Sequence, residues 1–249
     1  MDRPFFDAQT KAIRGAFAAG LQFDLAALDR DALTVVDLPD PPPWPYLGMV
    51  VTFGIGVVVS IDAAYRDFVV ELEAEPHDSA AWPGYLGKIV AEAQTRDAAV
   101  AASPSAILFA LSARPEQPQI PDGLELRRVD RAWMNAEQHS GRFPNGVGQL
   151  GRAARAERNR SAMVLFDERG EPVAVGGLTE TLGLPEIGVD VVPSARGRGL
   201  APIVVAAAAR AALEDGRAPL YACAATNVRS QRTALATGFV PVGADAFVS

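Results

Sequence analysis

A chain of 249 residues with 49% apolar residues and a formal net charge of -7 reads as a globular protein of one large or two small domains, and the negative balance argues against nucleic acid, whose phosphates need a concentrated positive face. A single cysteine, Cys223, rules out an intrachain disulfide and a cysteine-based zinc site, and two separated histidines, His77 and His139, form no cluster, so no metal is expected. Residues 1–20 carry Asp2, Arg3, Asp7, Lys11 and Arg14 with no long apolar core, and the apolar runs 49–61 and 200–209 are too short to cross a bilayer. A cytoplasmic protein with no membrane partner is expected.

The first predicted elements are a buried strand over 56–61 and a helix that Asp62 caps and that runs to about Glu73. Before them, the five prolines of 39–45 around Trp44 predict a loop. A second helix is predicted over 84–100 and a strand over 106–111. Residues 112–123, SARPEQPQIPDG, hold three prolines and no apolar periodicity, which predicts a connector. The expected organisation is therefore an N-terminal α/β lobe over 1–111, this linker, and a second domain over 124–249.

Past the linker, the alternation Leu124-Glu125-Leu126-Arg127-Arg128-Val129 predicts a half-buried strand. Helices are predicted over 131–138 and 147–157, separated by a Gly/Pro/Asn loop at 141–146. A meander of strands over 162–166, 172–179 and 186–192 follows, its first turn being Asp167-Glu168-Arg169-Gly170. The chain then alternates: helix 199–215, strand 220–224, helix 227–237, strand 239–247. A mixed α/β sheet is the predicted fold class.

The chemistry concentrates where the strand ending at Pro193 passes through Ser194-Ala195-Arg196-Gly197-Arg198-Gly199 into a helix starting Leu200-Ala201. A turn of this kind presents free backbone N–H groups at a positive helix end, glycines let an anion approach the backbone, and the arginines add charge at the rim. A purely structural turn remains open on this evidence alone. No Lys-Ser or Lys-Thr follows the glycines, so the turn is not a P-loop, and Pro202 stands where a dinucleotide fingerprint needs its third small residue.

With Arg196, Gly199 and Ala201 this stretch fits Arg/Gln-x-x-Gly-x-Gly/Ala, and with Ile187-Gly188 and Pro193 ahead of it and Asn227-x-x-Ser230 and Gly238-Phe239 behind, the segment from Leu124 onward resembles the GNAT acetyltransferase superfamily. The N-terminal lobe falls outside the resemblance and is expected to be non-catalytic, an α/β lobe that a degenerate copy of the same fold would explain. The resemblance implies acetyl-CoA as co-substrate, held by Val191, Val192, Arg196, Gly197, Arg198, Gly199, Leu200, Ala201, Asn227 and Ser230. It also implies that one N–H of the strand, here Val191, polarises the thioester carbonyl.

The attacking amine must lose a proton, which asks for a nearby carboxylate. Glu186 and Glu180 are the candidates, Glu186 being favoured, and Asp190 shares its strand parity. The family's usual acid, a tyrosine seven residues after the asparagine, is replaced by Ala234. Ser230 is the substitute, unless it only serves the first turn of its helix with Asn227 as N-cap. Trp133, Asn135, His139 and Phe143, near loop 140–147, are the acceptor-side candidates, with Glu180 beside them. The expected reaction is acetyl transfer to a primary amine of a small molecule or peptide. An acyl-CoA-binding regulatory module without turnover is the alternative, and a homodimer is left open.

Overall fold

The computed structural model describes residues 1–40, 42, 46–73, 82–147 and 157–249. Parts of the predicted loop 39–45 and almost all of the predicted helix 147–157 lie outside the described residues. Compactness divides the chain differently from a single cut at 112–123: one unit gathers residues 1–13, 109–222 and 228–240, the other 14–108, 223–227 and 241–249. The two are therefore interleaved in sequence.

The second unit holds three elements that the sequence reading did not anticipate. Helix α1 (Arg3–Gly20) buries Ile13, Phe17 and Ala18, one stripe at helical spacing, and its last turns belong to this unit. Strands β1 (Leu33–Asp37) and β2 (Gly48–Thr52) join the predicted β3 (Val57–Ile61). β1 pairs with β3 in parallel, β2 pairs with β3 antiparallel, and β10 (Phe239–Val248) pairs through Ala244–Val248 with β2. β2 and β3 are buried along their whole length, the signature of strands covered on both faces.

Asp62 accepts from the N–H of Ala64 and starts a short 3₁₀ turn that leads into α2 (Arg66–Glu73). Helix α3 (Trp82–Gln94) stops six residues earlier than predicted. There the Thr95 hydroxyl donates to the Glu92 carbonyl and Asp97 accepts from the N–H of Ala99, so polar side chains compete for the backbone. Tyr65, Val69, Leu72, Leu86 and Ile89 from this region close a core with Val50, Val59, Ala246 and Val248. Strand β4 (Ala106–Leu111) carries the chain into the other unit.

The first unit is built on an antiparallel sheet in the order β5 (Leu124–Asp130), β6 (Asn159–Asp167), β7 (Pro172–Thr181) and β8 (Leu184–Val191). Helix α5 (Leu200–Glu214) covers one face, burying Leu200 and Val204 against Leu165, Ala174, Val189 and Val191. On the other face, α4 (Arg131–Glu137) and the following loop bury Met134, Phe143 and Val147 against Ala162, Val164 and Val175. Strand β9 (Tyr221–Ala224) and helix α6 (Val228–Ala236) follow α5. Among the described residues no helix is long and apolar enough to cross a membrane.

Two glycines in β7 set how closely both covers approach the sheet. A Cβ on Gly176 would stand 2.4 Å from the Val204 carbonyl oxygen of α5, and one on Gly177 only 1.6 Å from the Gly146 oxygen of the opposite loop. Neither neighbour is a side chain that can swing away. Gly177→Ala should therefore cost about 3 kcal/mol or more of stability, since the backbone itself must shift. Gly15, inside α1 with nothing within 4 Å of its would-be Cβ, gives the opposite case: Gly15→Ala should stabilise by about 0.5–1 kcal/mol. Urea denaturation of the two variants checks both signs.

Candidate active site

Strand β8 is the edge of its sheet, so one row of its backbone groups has no ladder partner. The exception lies near its start, where a parallel bridge joins Glu186 to Leu220. There the Leu220 N–H donates to the Pro185 carbonyl at 3.0 Å and the Ile187 N–H donates to the Leu220 carbonyl at 2.9 Å. Backbone direction alternates along a strand, so Val189 and Val191 turn their N–H and C=O groups to the same side as Ile187. Beyond the bridge, no strand among the described residues pairs with this side. The odd-numbered side chains meanwhile pack on α5, so Val189 and Val191 serve the core with their side chains and leave their main chain available.

At the end of this open edge the chain makes the Gly/Arg turn. Gly197 and Gly199 take φ of 79° and 74°, the left-handed region that glycine adopts without strain. Helix α5 starts behind Gly199 with no side-chain cap. Pro202 supplies no N–H in its first turn, so the unpaired donors are those of Gly199, Leu200 and Ala201. The Nε of Arg196 donates to the Val191 carbonyl at 3.2 Å and ties the turn to the strand end. Arg196, Gly197, Arg198 and Gly199 are exposed, and a Cβ on either glycine would meet nothing of the protein within 4 Å. This is a positively charged, uncapped helix end with room beside its backbone.

The even-numbered side chains of β8 face the loop. A Cβ on Gly188 would stand 2.0 Å from the Asn145 carbonyl oxygen, so this glycine is required by close approach. The Asp190 carboxylate accepts from the N–H of Asn145 (2.6 Å), the N–H of Gly146 (2.8 Å) and the Asn145 side-chain amide (2.8 Å). Burial pushes the Asp190 carboxyl up from its ordinary value, against the pull of the Gly146 and Asn145 donors and of Arg196. Asp190 is thus a clamp that holds loop 141–147 on the strand. Its sequence parity with Glu186 was a visible signal, but its partner was not.

Glu186 is half-buried on the same face and accepts from the Thr181 hydroxyl, which in turn accepts from the Arg158 guanidinium. Glu180 is held between two arginines: Arg217 reaches both of its carboxylate oxygens, and the Nε of Arg160 lies 3.3 Å away. Of the acceptor-side candidates, Phe143 is fully buried in the core beneath the loop, and Trp133 packs there edge-on to Phe166 at 6.1 Å. The Asn135 side-chain oxygen accepts from the Asn159 amide at 2.9 Å, and His139 is exposed in a short 3₁₀ turn after α4.

The Ser230 hydroxyl lies 2.7 Å from the Tyr221 hydroxyl. Sequence reading did not single out Tyr221, although it immediately follows the residue that bridges β8; the one signal was a tyrosine at the start of the strand that precedes the helix of the absent acid. Ala234, at the position of that acid, is fully buried. Asn227 lies in the second compact unit, its N–H donating to the Ala224 carbonyl. Among the described residues no group of three or more His, Cys, Asp or Glu is placed to hold a metal ion.

Residues 128–239 match the model of the Acetyltransferase (GNAT) family. Curated protein sequences give no match. Among solved structures, a Drosophila protein aligns over 100% of this chain and 89% of its own at 16% identity and a TM-score of 0.55. A GCN5-related N-acetyltransferase-like protein from Streptococcus suis aligns over 77% of each chain at 16% identity and a TM-score of 0.52. The mixed α/β fold is therefore GNAT-like, and family and fold together support acyl transfer as the general chemistry.

Replacing Asp190 by Ala leaves two backbone N–H groups and one amide of the loop without their acceptor. It should cost about 1–3 kcal/mol, and amide hydrogen exchange at Asn145 and Gly146 should speed up selectively. Unchanged exchange there would remove Asp190 as the clamp.

Proposed function

We propose that the protein is an N-acetyltransferase that passes the acetyl group of acetyl-CoA to a primary amine of a small molecule or peptide by direct attack. The observation that carries this reading is one continuous feature: a strand edge left open by its neighbour, leading straight into an uncapped helix N-terminus behind two left-handed glycines. A pyrophosphate fits the N–H groups of Gly199, Leu200 and Ala201, with Gly197 allowing close approach and Arg196 and Arg198 supplying charge. An extended pantetheine arm fits the N–H of Val191 and the N–H and C=O groups of Val189, with Val192 at the strand end.

Acetyl-CoA brings an already activated acyl group, so the chain's task is mainly to orient it and to manage protons. The Val191 N–H is the proposed donor to the thioester carbonyl oxygen, with the Val189 N–H next along the same edge. Glu186 is the proposed acceptor of the amine's proton, directly or through water. It sits where β9 closes the edge, and the Thr181 hydroxyl orients its carboxylate. Loop 140–147, with Trp133 and Phe143 supporting it from the core, and Asn135 and His139 nearby, would shape the acceptor side. A cytoplasmic location suits a supply of acetyl-CoA, and the acidic net charge suits a cationic acceptor. The second reading, a regulatory module that binds acyl-CoA without turnover, is favoured by the buried Ala234 in place of the usual acid.

Incubation with acetyl-CoA and a panel of amines separates the two: amine-dependent CoA release with acetylated product is expected, and binding without such release would leave the regulatory reading. Gly199→Val should abolish CoA binding, because a β-branched residue at φ of 74° is strained and fills the anion's approach. Calorimetry showing wild-type CoA affinity in this variant would sink the assignment of the turn. Glu186→Gln should lower kcat by about a hundredfold with CoA affinity retained.

A further inference from the structure

Strands β7 and β8 form a hairpin closed by Leu182 and Gly183 alone, which take φ of 50° and 80°. A two-residue turn with positive φ at both positions fixes the register of its strands. Thr181 therefore stands opposite Leu184 and Thr179 opposite Glu186, which makes Thr181 and Glu186 diagonal neighbours across the hairpin. β6 brings a third member. Its pairing of Asn159 with Thr179 sets Arg158, just before the start of β6, level with the end of β7. There the Arg158 guanidinium donates through Nε to the Glu180 carbonyl and through a terminal nitrogen to the Thr181 hydroxyl oxygen.

This order of contacts settles a direction. A guanidinium can only donate, so the Thr181 oxygen accepts from Arg158, and the single hydrogen of that hydroxyl goes to Oε2 of Glu186. The cation polarises the hydroxyl and strengthens this last bond.

The three carboxylates of the hairpin differ in what is left to them. Glu180 has both oxygens on arginines, Oε1 on Arg217 and Oε2 on Arg217 and Arg160. Asp190 has Oδ1 on the Asn145 amide and Oδ2 on the N–H groups of Asn145 and Gly146. Glu186, half-buried, has Oε2 on Thr181, while its Oε1 accepts no hydrogen bond among the described residues.

We propose that Arg158 and Thr181 are positioning residues that hold Oε2 of Glu186 and so present Oε1 as the atom that takes the proton of the attacking amine. The inference rests on the acetyl-transfer reading and on Glu186 as its proton acceptor. The N–H bond of the amine breaks with its electron pair left on nitrogen, the proton binds Oε1, and water carries it away before the next turnover. Arg158 and Thr181 keep their own protons throughout.

The experiment measures amine-acetylation kinetics, CoA calorimetry and melting temperature for wild type, Thr181→Val, Thr181→Ser, Arg158→Gln, Glu186→Gln and the double variant Thr181→Val with Glu186→Gln. Thr181→Val should lower kcat about tenfold, with KM and CoA affinity little changed. Thr181→Ser, which returns the hydroxyl, should recover most of kcat. Arg158→Gln should lower kcat in the same sense and by less, and the Thr181 variants decide alone if it does not fold. In the double variant the valine should add no further loss, because Thr181 acts only through the Glu186 carboxylate. Wild-type kcat in Thr181→Val, whatever its melting temperature, would reduce these contacts to a tie within the hairpin. Losses that multiply in the double variant would equally overturn the proposal, since Thr181 would then act elsewhere. If Glu186→Gln alone kept wild-type kcat, the proton-acceptor assignment would fail first. If wild type acetylated no amine, the reading beneath both would fail, and visibly in wild type.

Discussion

The first unit is organised by the need to bring main chain against main chain on both faces of one strand. Gly176 and Gly177 are adjacent, so their missing side chains point to opposite faces. One lets the α5 backbone down onto the sheet and the other lets the Asn145-Gly146 loop down from above. Gly188, opposite Gly177 on the neighbouring strand, extends the loop's seat. The depth at which α5 sits decides where its N-terminus stands relative to the end of β8, and so where the proposed anion site stands. The same two residues therefore set the positions of that helix end and of the loop on the opposite face.

The second constraint is the short contact between β8 and β9. A strand edge normally invites pairing along its length, yet here the parallel contact is a single bridge at Glu186 and Leu220. What would be a defect in a structural sheet leaves the backbone groups of Val189 and Val191 without a strand partner just ahead of the Gly/Arg turn.

Much of the first unit was legible in the sequence. The strands β5 to β9 and helices α5 and α6 emerged within a few residues of their bounds, because their apolar periods are clean and glycine or proline punctuates each end. The turn at Arg196–Ala201 was legible for a sharper reason: its glycines have a conformational purpose that few other arrangements share. The second unit was read far less well. α1 carries alanines and phenylalanines all round, with no acid in its first turn to mark a start. β2 is apolar on both faces and so shows no alternation. The pairing of β10 with β2 joins residues about two hundred positions apart, which no local pattern reports. In the candidate site, what escaped were pairs: Asp190 with Asn145, and Tyr221 with Ser230, where each residue alone looks ordinary.

The placement of β10 bears on how the chain comes off the ribosome. Folding during synthesis usually proceeds domain by domain from the N-terminus. Here the unit that contains most of the first hundred residues also contains 241–249, and its strand β2 gains its β10 neighbour only from Ala244 to Val248. The other unit is complete at residue 240. The half that carries the acetyltransferase family match can thus be whole while the earlier-made half still waits for a strand. During that interval the buried edge of β2 is open, and a nascent chain in this state is one that a chaperone would recognise.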